Sequence, residues 1–178
     1  MPHQWCGAGR TTGYTVSVMV AKFEPRGSGK KVCLAASAGG HLSQLLLLEP
    51  VWKGHETICV STGEMVRSKL EATGRTYIVG ECNHQHPVRA VVVAARCLAI
   101  VLRERPDLVL STGAAPGFLV CMWGKLLGAE VVWVDSIANA RKLSLSGRMV
   151  RPFADLILSQ WSAVASRYRD VEYAGELV

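Results

Sequence analysis

The stretch over residues 32–42 constrains the fold more than any other part of the chain, because it joins an apolar run to a glycine turn and then a helical pattern. It reads V-C-L-A-A-S-A-G-G-H-L. A short apolar run bounded by glycine is typical of a buried parallel strand. Small residues let a ligand approach the backbone, and the first N–H groups of the next helix favour an anion there. The stretch therefore predicts the floor of a phosphate-binding site, with candidate residues Ser37, Ala38, Gly39, Gly40 and His41.

From residue 31 onwards, apolar strand patterns alternate with helical patterns. The predicted strands are residues 31–37, 56–61, 76–79, 108–111, 131–134 and 156–158, and the predicted helices are residues 41–52, 64–73, 87–104, 116–127, 147–153 and 162–168. Repeated βα units with uniformly apolar strands predict an α/β fold, a doubly wound parallel sheet of Rossmann-like type. Such a sheet binds its ligand at the carboxyl ends of its strands. We expect one domain over residues 31–178 after a poorly ordered extension over residues 1–30, which is rich in glycine and polar residues.

The composition excludes a disordered chain and indicates the charge of the ligand. The 178 residues are 49% hydrophobic and 19% charged, with a net charge of +6. This excess of positive charge suits an anionic substrate or lipid surface, and the mean hydropathy of +0.22 favours a partner or a membrane surface. The six cysteines form no C-x-x-C pair, so we expect buried free thiols in a reducing compartment rather than a zinc site.

Small and hydroxylated residues end several of the predicted strands, which indicates one shared polar crevice. The endings are Ser-Thr-Gly at 61–63, Ser-Thr-Gly-Ala-Ala-Pro-Gly at 111–117 and Asp-Ser at 135–136. Thr112, Gly113 and Pro116 are candidate substrate-binding residues, with the plain start of a helix as the alternative. Asp135 either acts on the substrate, as a base or as a partner of a sugar hydroxyl, or caps the turn that follows.

His41 lies at the mouth of the predicted crevice and has two interpretations. An imidazole exchanges its proton close to neutral pH, so His41 is a candidate catalytic base or substrate contact. Alternatively, it caps the helix or bonds a backbone carbonyl. Further along, Arg141 and Lys142 precede Ser144 and Ser146 beside a helix start. These four residues suit a clamp for a lipid diphosphate, or they form an ordinary solvated basic loop.

A second apolar segment, residues 88–102, is too short to span a bilayer. It reads V-R-A-V-V-V-A-A-R-C-L-A-I-V-L. Its arginines suit a helix that lies in the headgroup layer with an aliphatic face in the acyl boundary. On this interpretation Arg89, Val92, Arg96 and Ile100 contact the membrane. The alternative is a core helix that covers one face of the sheet.

Five short motifs together resemble a known family. They are S-A-G-G-H-L-S-Q-L, L-S-T-G-A-A-P-G, W-V-D-S-I-A, K-L-S-L-S-G and Y-A-G-E-L. They resemble the bacterial PssD-type polysaccharide-synthesis proteins and the asparagine-linked glycosylation protein fourteen family, and the resemblance covers residues 31–177.

This resemblance implies the acceptor-side half of a split GT-B glycosyltransferase. A PssE-like or glycosylation protein thirteen-like partner would hold the UDP-sugar, and the sugar would pass to a polyprenyl-diphosphate-linked saccharide. The implied location is peripheral, at the cytoplasmic face of a membrane, with no bound metal, no cofactor and no nucleic-acid partner. Residues 1–30 depart from the eukaryotic pattern of an amino-terminal transmembrane helix, because their apolar stretch 14–21 is too short to span a bilayer.

Two other functions fit the predicted fold. A stand-alone nucleotide-binding oxidoreductase needs G-x-G-x-x-G after the first strand, whereas residues 38–43 read A-G-G-H-L-S. The third function is that of a non-catalytic membrane adaptor that recruits the partner chain. Crevice substitutions that abolish transfer while the complex still assembles would distinguish an enzyme from an adaptor.

Overall fold

The computed structural model describes residues 29–82 and 87–177. Within these residues, seven parallel strands form one sheet with the order β3-β2-β1-β4-β5-β6-β7. The strands are β1 Lys31–Ala35, β2 Glu56–Ser61, β3 Arg75–Ile78, β4 Leu108–Ser111, β5 Glu130–Val134, β6 Leu156–Ser159 and β7 Glu172–Tyr173. The order reverses between β1 and β4, where a doubly wound sheet binds its ligands. The predicted α/β fold is confirmed.

Helices connect the strands, as the sequence patterns predict. They are α1 Gly40–Leu46, α2 Glu49–Trp52, α3 Arg67–Glu71, α4 Pro87–Glu104, α5 Ala114–Leu126, α6 Leu145–Val150 and α7 Ser162–Ala165, and a 3₁₀ turn over Glu64–Val66 precedes α3. The single helix predicted for residues 41–52 is wrong, because it divides into α1 and α2. Pro50 lacks an N–H and clashes with the carbonyl four residues before it, so it begins a new helix instead of continuing α1.

Two further features differ from the sequence predictions or lie beyond them. The sequence does not predict β7, because two exposed residues at a sheet edge carry no hydrophobic periodicity. The extension predicted over residues 1–30 lies outside the described residues except for positions 29 and 30. The division of the chain into an extension and one domain therefore stays a prediction.

Hydrophobic side chains cover both faces of the sheet. Successive residues of β1 point to opposite faces, as the pleat of a strand requires. Val32 and Leu34 belong to the cluster that includes α1 and α2. Cys33 and Ala35 belong to the cluster that includes α4 and α5. The core therefore consists of two apolar layers, one on each side of a sheet whose central strands are buried.

Helix α5 lies unusually close to the sheet because two of its positions carry no side chain. A Cβ atom at Gly117 would overlap Ser111 Oγ, and a Cβ atom at Gly124 would lie 2.6 Å from Val109 Cγ2. Both glycines face β4, whose carboxyl end contributes to the candidate site. The close packing therefore fixes the start of α5 relative to that strand end.

The cysteines in the core are inert. Cys33, Cys59, Cys97 and Cys121 are buried and free. Burial raises the pKa of Cys59 to about 11 and that of Cys97 to about 12, so these thiols stay protonated and unreactive. The prediction of buried free thiols is confirmed for these four residues. Cys82 is free but only half-buried, and Cys6 lies outside the described residues.

A buried carboxylate ties α4 to the amino edge of the sheet. Glu104 is 2% exposed, and its Oε2 accepts a hydrogen bond from Arg75 Nη1 at 2.6 Å. The Tyr77 hydroxyl donates to the other carboxylate oxygen, and Lys31 Nζ donates to the Glu104 backbone oxygen at 3.3 Å. The last turn of α4 is thus bonded to β3 and to the start of β1.

We expect Glu104→Gln to lower the free energy of unfolding by about 1–3 kcal/mol, because a buried charged acceptor is lost. Burial alone raises the pKa of Glu104, but the Tyr77 hydrogen bond and the Arg75 charge outweigh burial and hold that pKa below the ordinary 4.5. A carboxyl group with a lowered folded-state pKa adds stability above its unfolded pKa and loses it as pH falls through the folded value. Denaturant unfolding should therefore show a difference between wild type and variant that is largest at neutral pH and shrinks below 4.5.

Glu64→Gln is the matched control, because Glu64 is exposed and its carboxylate, within residues 29–82 and 87–177, is bonded to Arg67. Its effect on unfolding should be much smaller. An equal effect of the two substitutions, or a difference for Glu104→Gln that does not change with pH, would contradict the assigned role.

Candidate functional site

The loop after β1 joins the carboxyl ends of three strands. Ala38 N donates a hydrogen bond to Thr62 Oγ1, just after β2, at 3.0 Å. Thr112 Oγ1, just after β4, donates to the backbone oxygen of His41 at 2.6 Å. The ends of β1, β2 and β4 therefore meet at one edge of the sheet, as the strand endings predict.

The imidazole of His41 lies directly over Gly113. His41 Nδ1 is 3.0 Å from the backbone oxygen of Thr112. Because a carbonyl oxygen can only accept, Nδ1 carries the proton, and Nε2 of the neutral ring holds the lone pair. A Cβ atom at position 113 would lie 2.6 Å from both Nδ1 and Cε1 of the ring. Only glycine at position 113 leaves room for this placement of the ring.

The backbone at the start of α5 has an unusual conformation. Gly113 has φ 140°, and Ala114, which is not a glycine, has φ 68°. A non-glycine residue in the left-handed region costs free energy, and such residues cluster at functional sites. The strained position follows the glycine beneath His41, which strengthens the assignment of this edge as the candidate site.

Two buried glutamines, which sequence reasoning missed, connect the remaining strand ends. Gln160 Nε2, just after β6, donates to Gln44 Oε1 at 2.8 Å and to the backbone oxygen of Asp135 at 3.0 Å. Leu177 N donates to Gln160 Oε1 at 2.8 Å, and Gln44 Nε2 donates to Ser136 Oγ at 3.4 Å. Gln44 lies in the S-Q-L part of the first motif, and Gln160 directly follows a strand, so the sequence contained a signal for both residues.

Asp135 is buried, and its carboxylate is already occupied by hydrogen bonds within the protein. It is 2% exposed. Ser144 donates to it from N at 2.9 Å and from Oγ at 2.5 Å, and Trp133 Nε1 donates at 3.2 Å. Ser144 Oγ in turn accepts from Gly147 N at 2.8 Å and caps α6. These contacts favour the structural alternative for Asp135 over the role of a catalytic base.

The other candidates after β1 and β4 divide into accessible and buried groups. Gly39 and Gly40 are exposed, and Ser37 and His41 are half-buried. Thr112, Gly113 and Pro116 are buried, which favours the alternative of a plain helix start. Their assignment as substrate-binding residues stays a prediction.

The candidate residues in and after the basic loop before α6 also differ in their exposure to solvent. Arg141 and Lys142 are exposed, and Ser146 is half-buried on α6. The Arg141 backbone oxygen accepts a hydrogen bond from Arg167 Nη1 at 2.8 Å, which fixes the loop beside α7. Because the Ser144 hydroxyl bonds Asp135 and Gly147, it serves the helix cap instead of a substrate.

The residues predicted to contact a membrane do not all lie on one surface of α4. Arg89, Val92 and Arg96 are exposed. Ile100 is half-buried and packs against the hydrophobic core, which favours the core-helix alternative for this residue, and its assignment as a membrane contact stays a prediction. None of the described helices is both long and apolar enough to cross a bilayer, and the described residues contain no cluster of three metal-ligating side chains.

Solved structures of similar shape define the class of fold. The MurG protein of Acinetobacter baumannii superposes with a TM-score of 0.67 at 14% identity, covering 83% of this chain and 46% of that one. The S. aureus MnaA–UDP complex superposes with a TM-score of 0.63 at 17% identity, covering 83% of this chain and 45% of that one. The chain thus has the Rossmann-like fold of the amino-terminal half of GT-B proteins, and it spans less than half the length of either structure.

Sequence comparison then identifies the family. The family model described as oligosaccharide biosynthesis protein Alg14 like matches residues 53–177, so the chain belongs to the Alg14 family. A UDP-N-acetylglucosamine transferase subunit of Yarrowia lipolytica is 26% identical over 183 residues, covering 88% of this chain and 85% of the relative. The subunit of the same name from Eremothecium gossypii is 29% identical over 185 residues, covering 86% and 82%. The resemblance predicted from the motifs is confirmed.

We expect Gly113→Ala to displace the His41 ring, because the new methyl group would lie 2.6 Å from two ring atoms. Gly128→Ala is the matched control, since Gly128 has φ 93° and an added Cβ meets no atom within 4 Å. Gly128→Ala should lose about 1 kcal/mol of stability to backbone strain. Gly113→Ala should lose more, because its backbone, with φ 140° and ψ −170°, lies in a region that is essentially restricted to glycine. Only Gly113→Ala should shift the imidazole resonances of His41 in an NMR spectrum. Equal shifts in both variants would contradict the contact.

Proposed function

We propose that this chain is the acceptor-side subunit of a two-chain glycosyltransferase. With a donor-binding partner, it transfers N-acetylglucosamine from UDP-N-acetylglucosamine to a polyprenyl-diphosphate-linked saccharide. The partner is a PssE-like, or glycosylation protein thirteen-like, chain. A water-soluble donor has to meet an acceptor held in a bilayer, so the proposal includes a peripheral position at the cytoplasmic face of a membrane.

The observation that carries this proposal is that the chain belongs to a family of transferase subunits and has the fold of one half of a GT-B protein. The curated relatives are named as subunits of a UDP-N-acetylglucosamine transferase. The described residues form a single sheet, whereas a GT-B enzyme forms its active site between two domains that each contain a sheet. A partner that supplies the nucleotide-binding half would complete such a site. Because the chain belongs to this family of transferase subunits, a stand-alone oxidoreductase is no longer supported.

His41 is the residue proposed to act on the acceptor. The acceptor hydroxyl oxygen attacks the anomeric carbon, the bond from that carbon to the β-phosphate oxygen breaks, and UDP leaves. His41 Nε2 accepts the hydroxyl proton, since Nδ1 faces the Thr112 carbonyl and holds the ring in this tautomer. The exposed Gly39 and Gly40 allow a bulky acceptor to approach the ring.

The remaining candidates have supporting parts in this proposal. Ser37 lies half-buried beside the glycine turn and is proposed to contact the acceptor. Arg141 and Lys142 are exposed and carry charge that suits the acceptor diphosphate, with Ser146 near them on α6. Asp135 is a positioning residue, which holds the start of α6 through Ser144.

Transfer of radiolabelled N-acetylglucosamine to a polyprenyl-diphosphate-linked saccharide, by the co-purified complex, tests the proposal. We expect product from the complex and none from either chain alone. His41→Ala should lower kcat by about a hundredfold or more, because general-base catalysis contributes that much, while the variant still folds and still assembles into the complex.

Two results would contradict this assignment. Product from this chain alone would exclude a split site. Wild-type turnover by an assembled complex that carries His41→Ala would remove His41 from catalysis and favour the membrane adaptor.

We expect substitution of Asp135 to lower the free energy of unfolding, and we expect any loss of activity to follow from that loss of stability. Asp135→Asn removes an acceptor from Ser144 and Trp133 and should cost about 1–3 kcal/mol. Ser144→Ala removes the same contact from the other side, so the two substitutions should be non-additive in a double-mutant cycle measured by chemical denaturation. Additive effects would show that the pair does not act as a unit.

A further inference from the structure

Helix α4 presents an apolar stripe to solvent. Val88 is 76% exposed, Val91 69%, Val92 45% and Leu102 45%. These residues, together with the exposed Ala95 and Ala99, recur at three- and four-residue intervals and therefore share one side of the helix. The opposite side, with Val93, Cys97 and Val101, packs on the sheet. We call the exposed set the α4 stripe, and a continuous apolar surface of this kind marks an interaction site.

A row of positive charge runs beside the α4 stripe. Arg89, Arg96 and Arg103 are exposed and recur every seven residues, which aligns them along the helix. The one acidic residue within α4, Glu104, is buried and bonded to Arg75. The exposed surface of this helix therefore carries positive charge alone.

A cavity lies where the row begins. It has a volume of about 330 Å³ and is lined in part by Arg89, Arg96, Val88 and Gly80. Arg96 Nη1 donates to the Val79 backbone oxygen at 3.1 Å, which holds this guanidinium at the wall. The exposed carboxylate of Glu81 also lines the cavity. Two guanidinium groups in one hollow suit the phosphate of a lipid headgroup, which lies at the depth that an interfacial helix reaches.

We propose that the α4 stripe and its arginine row dock this protein on an anionic membrane surface, with a headgroup phosphate in the cavity beside Arg89 and Arg96. Aliphatic side chains would enter the acyl boundary, while the arginine stems lie along it and their charges stay in the headgroup layer. The cores of protein interfaces are instead rich in aromatic residues and poor in charge, and the exposed side of α4 has no aromatic residue.

Docking in this way would orient the molecule. The first turn of α4 lines a cavity with Val79 and Gly80, which follow β3, so it lies at the carboxyl edge of the sheet. The last turn of α4 lies at the amino edge, so the stripe extends from one edge to the other and the membrane would lie along the sheet face that α4 covers. This inference rests on the peripheral membrane position of the proposed function and names the surface that provides it. Binding to vesicles is measured without a sugar donor, so its failure is distinguishable from a failure of sugar transfer.

Flotation of the full chain with lipid vesicles tests the proposal. We expect the wild type to float with vesicles of phosphatidylcholine and phosphatidylglycerol and to float much less with phosphatidylcholine alone. Val91→Glu with Val92→Glu should abolish flotation, because carboxylates would enter the acyl boundary. The double variant Arg89→Gln with Arg103→Gln should weaken vesicle binding by more than tenfold, because each arginine contributes about fivefold.

Two matched controls separate the surface from general charge and general hydrophobicity. Lys53→Gln with Lys69→Gln removes two exposed cations outside α4, and Met65→Glu changes an apolar side chain that is 88% exposed outside the stripe. Both should float as the wild type does, and circular dichroism should show every variant folded.

Three outcomes would overturn the proposal. They are flotation of folded Val91→Glu/Val92→Glu at the wild-type level, an equal loss in the lysine control, and absence of wild-type binding to anionic vesicles. A stripe variant that floats normally but no longer assembles with the donor-binding partner would reassign this surface to a protein interface.

Discussion

Buried amide and carboxylate groups fix the carboxyl edge of the sheet, and the candidate site depends on them. Gln160 is 1% exposed and is bonded to Gln44, to the backbone of Asp135 and to Leu177 N. A buried polar group left without a partner costs about 1–3 kcal/mol. Each segment therefore takes the one arrangement that satisfies its neighbours, and pieces from distant parts of the chain form one connected platform.

The platform leaves the side chain of His41 partly accessible. Around it, hydroxyl, amide and carboxylate groups are bonded to one another, as Thr112 and Asp135 are. His41 differs, because the Thr112 carbonyl fixes its Nδ1 while the ring stays half-buried beside an exposed glycine turn. An oriented imidazole beside an exposed glycine turn is consistent with the proposal of a site that a second chain completes.

Much of the fold could be predicted from the sequence, because local chemistry determines it. The predicted bounds of β2, β4 and α4 agree with the structure, since apolar runs and prolines mark their ends. The division between α1 and α2 is also a local effect of Pro50 and could have been foreseen. The motif content was sufficient to identify the family, although identity to the full-length relatives is below 30%.

The site was predicted less well, because side-chain partners are not local. The sequence placed Asp135 at a strand end but gave no sign that Ser144 and Trp133 would occupy its carboxylate. Likewise, Ile100 and Val92 are both aliphatic residues of α4, and only the packing of that helix shows which one faces the core. Glutamine is usually a surface residue, so Gln44 and Gln160 did not stand out.

The parallel arrangement of all seven strands separates two tasks in space. Glu104, Arg75 and Lys31 cluster where strands begin, whereas His41 and Gly113 lie where strands end. Changes at well-separated positions usually combine independently. A substitution around Glu104 could therefore change the stability of the fold while the groups around His41 keep their arrangement.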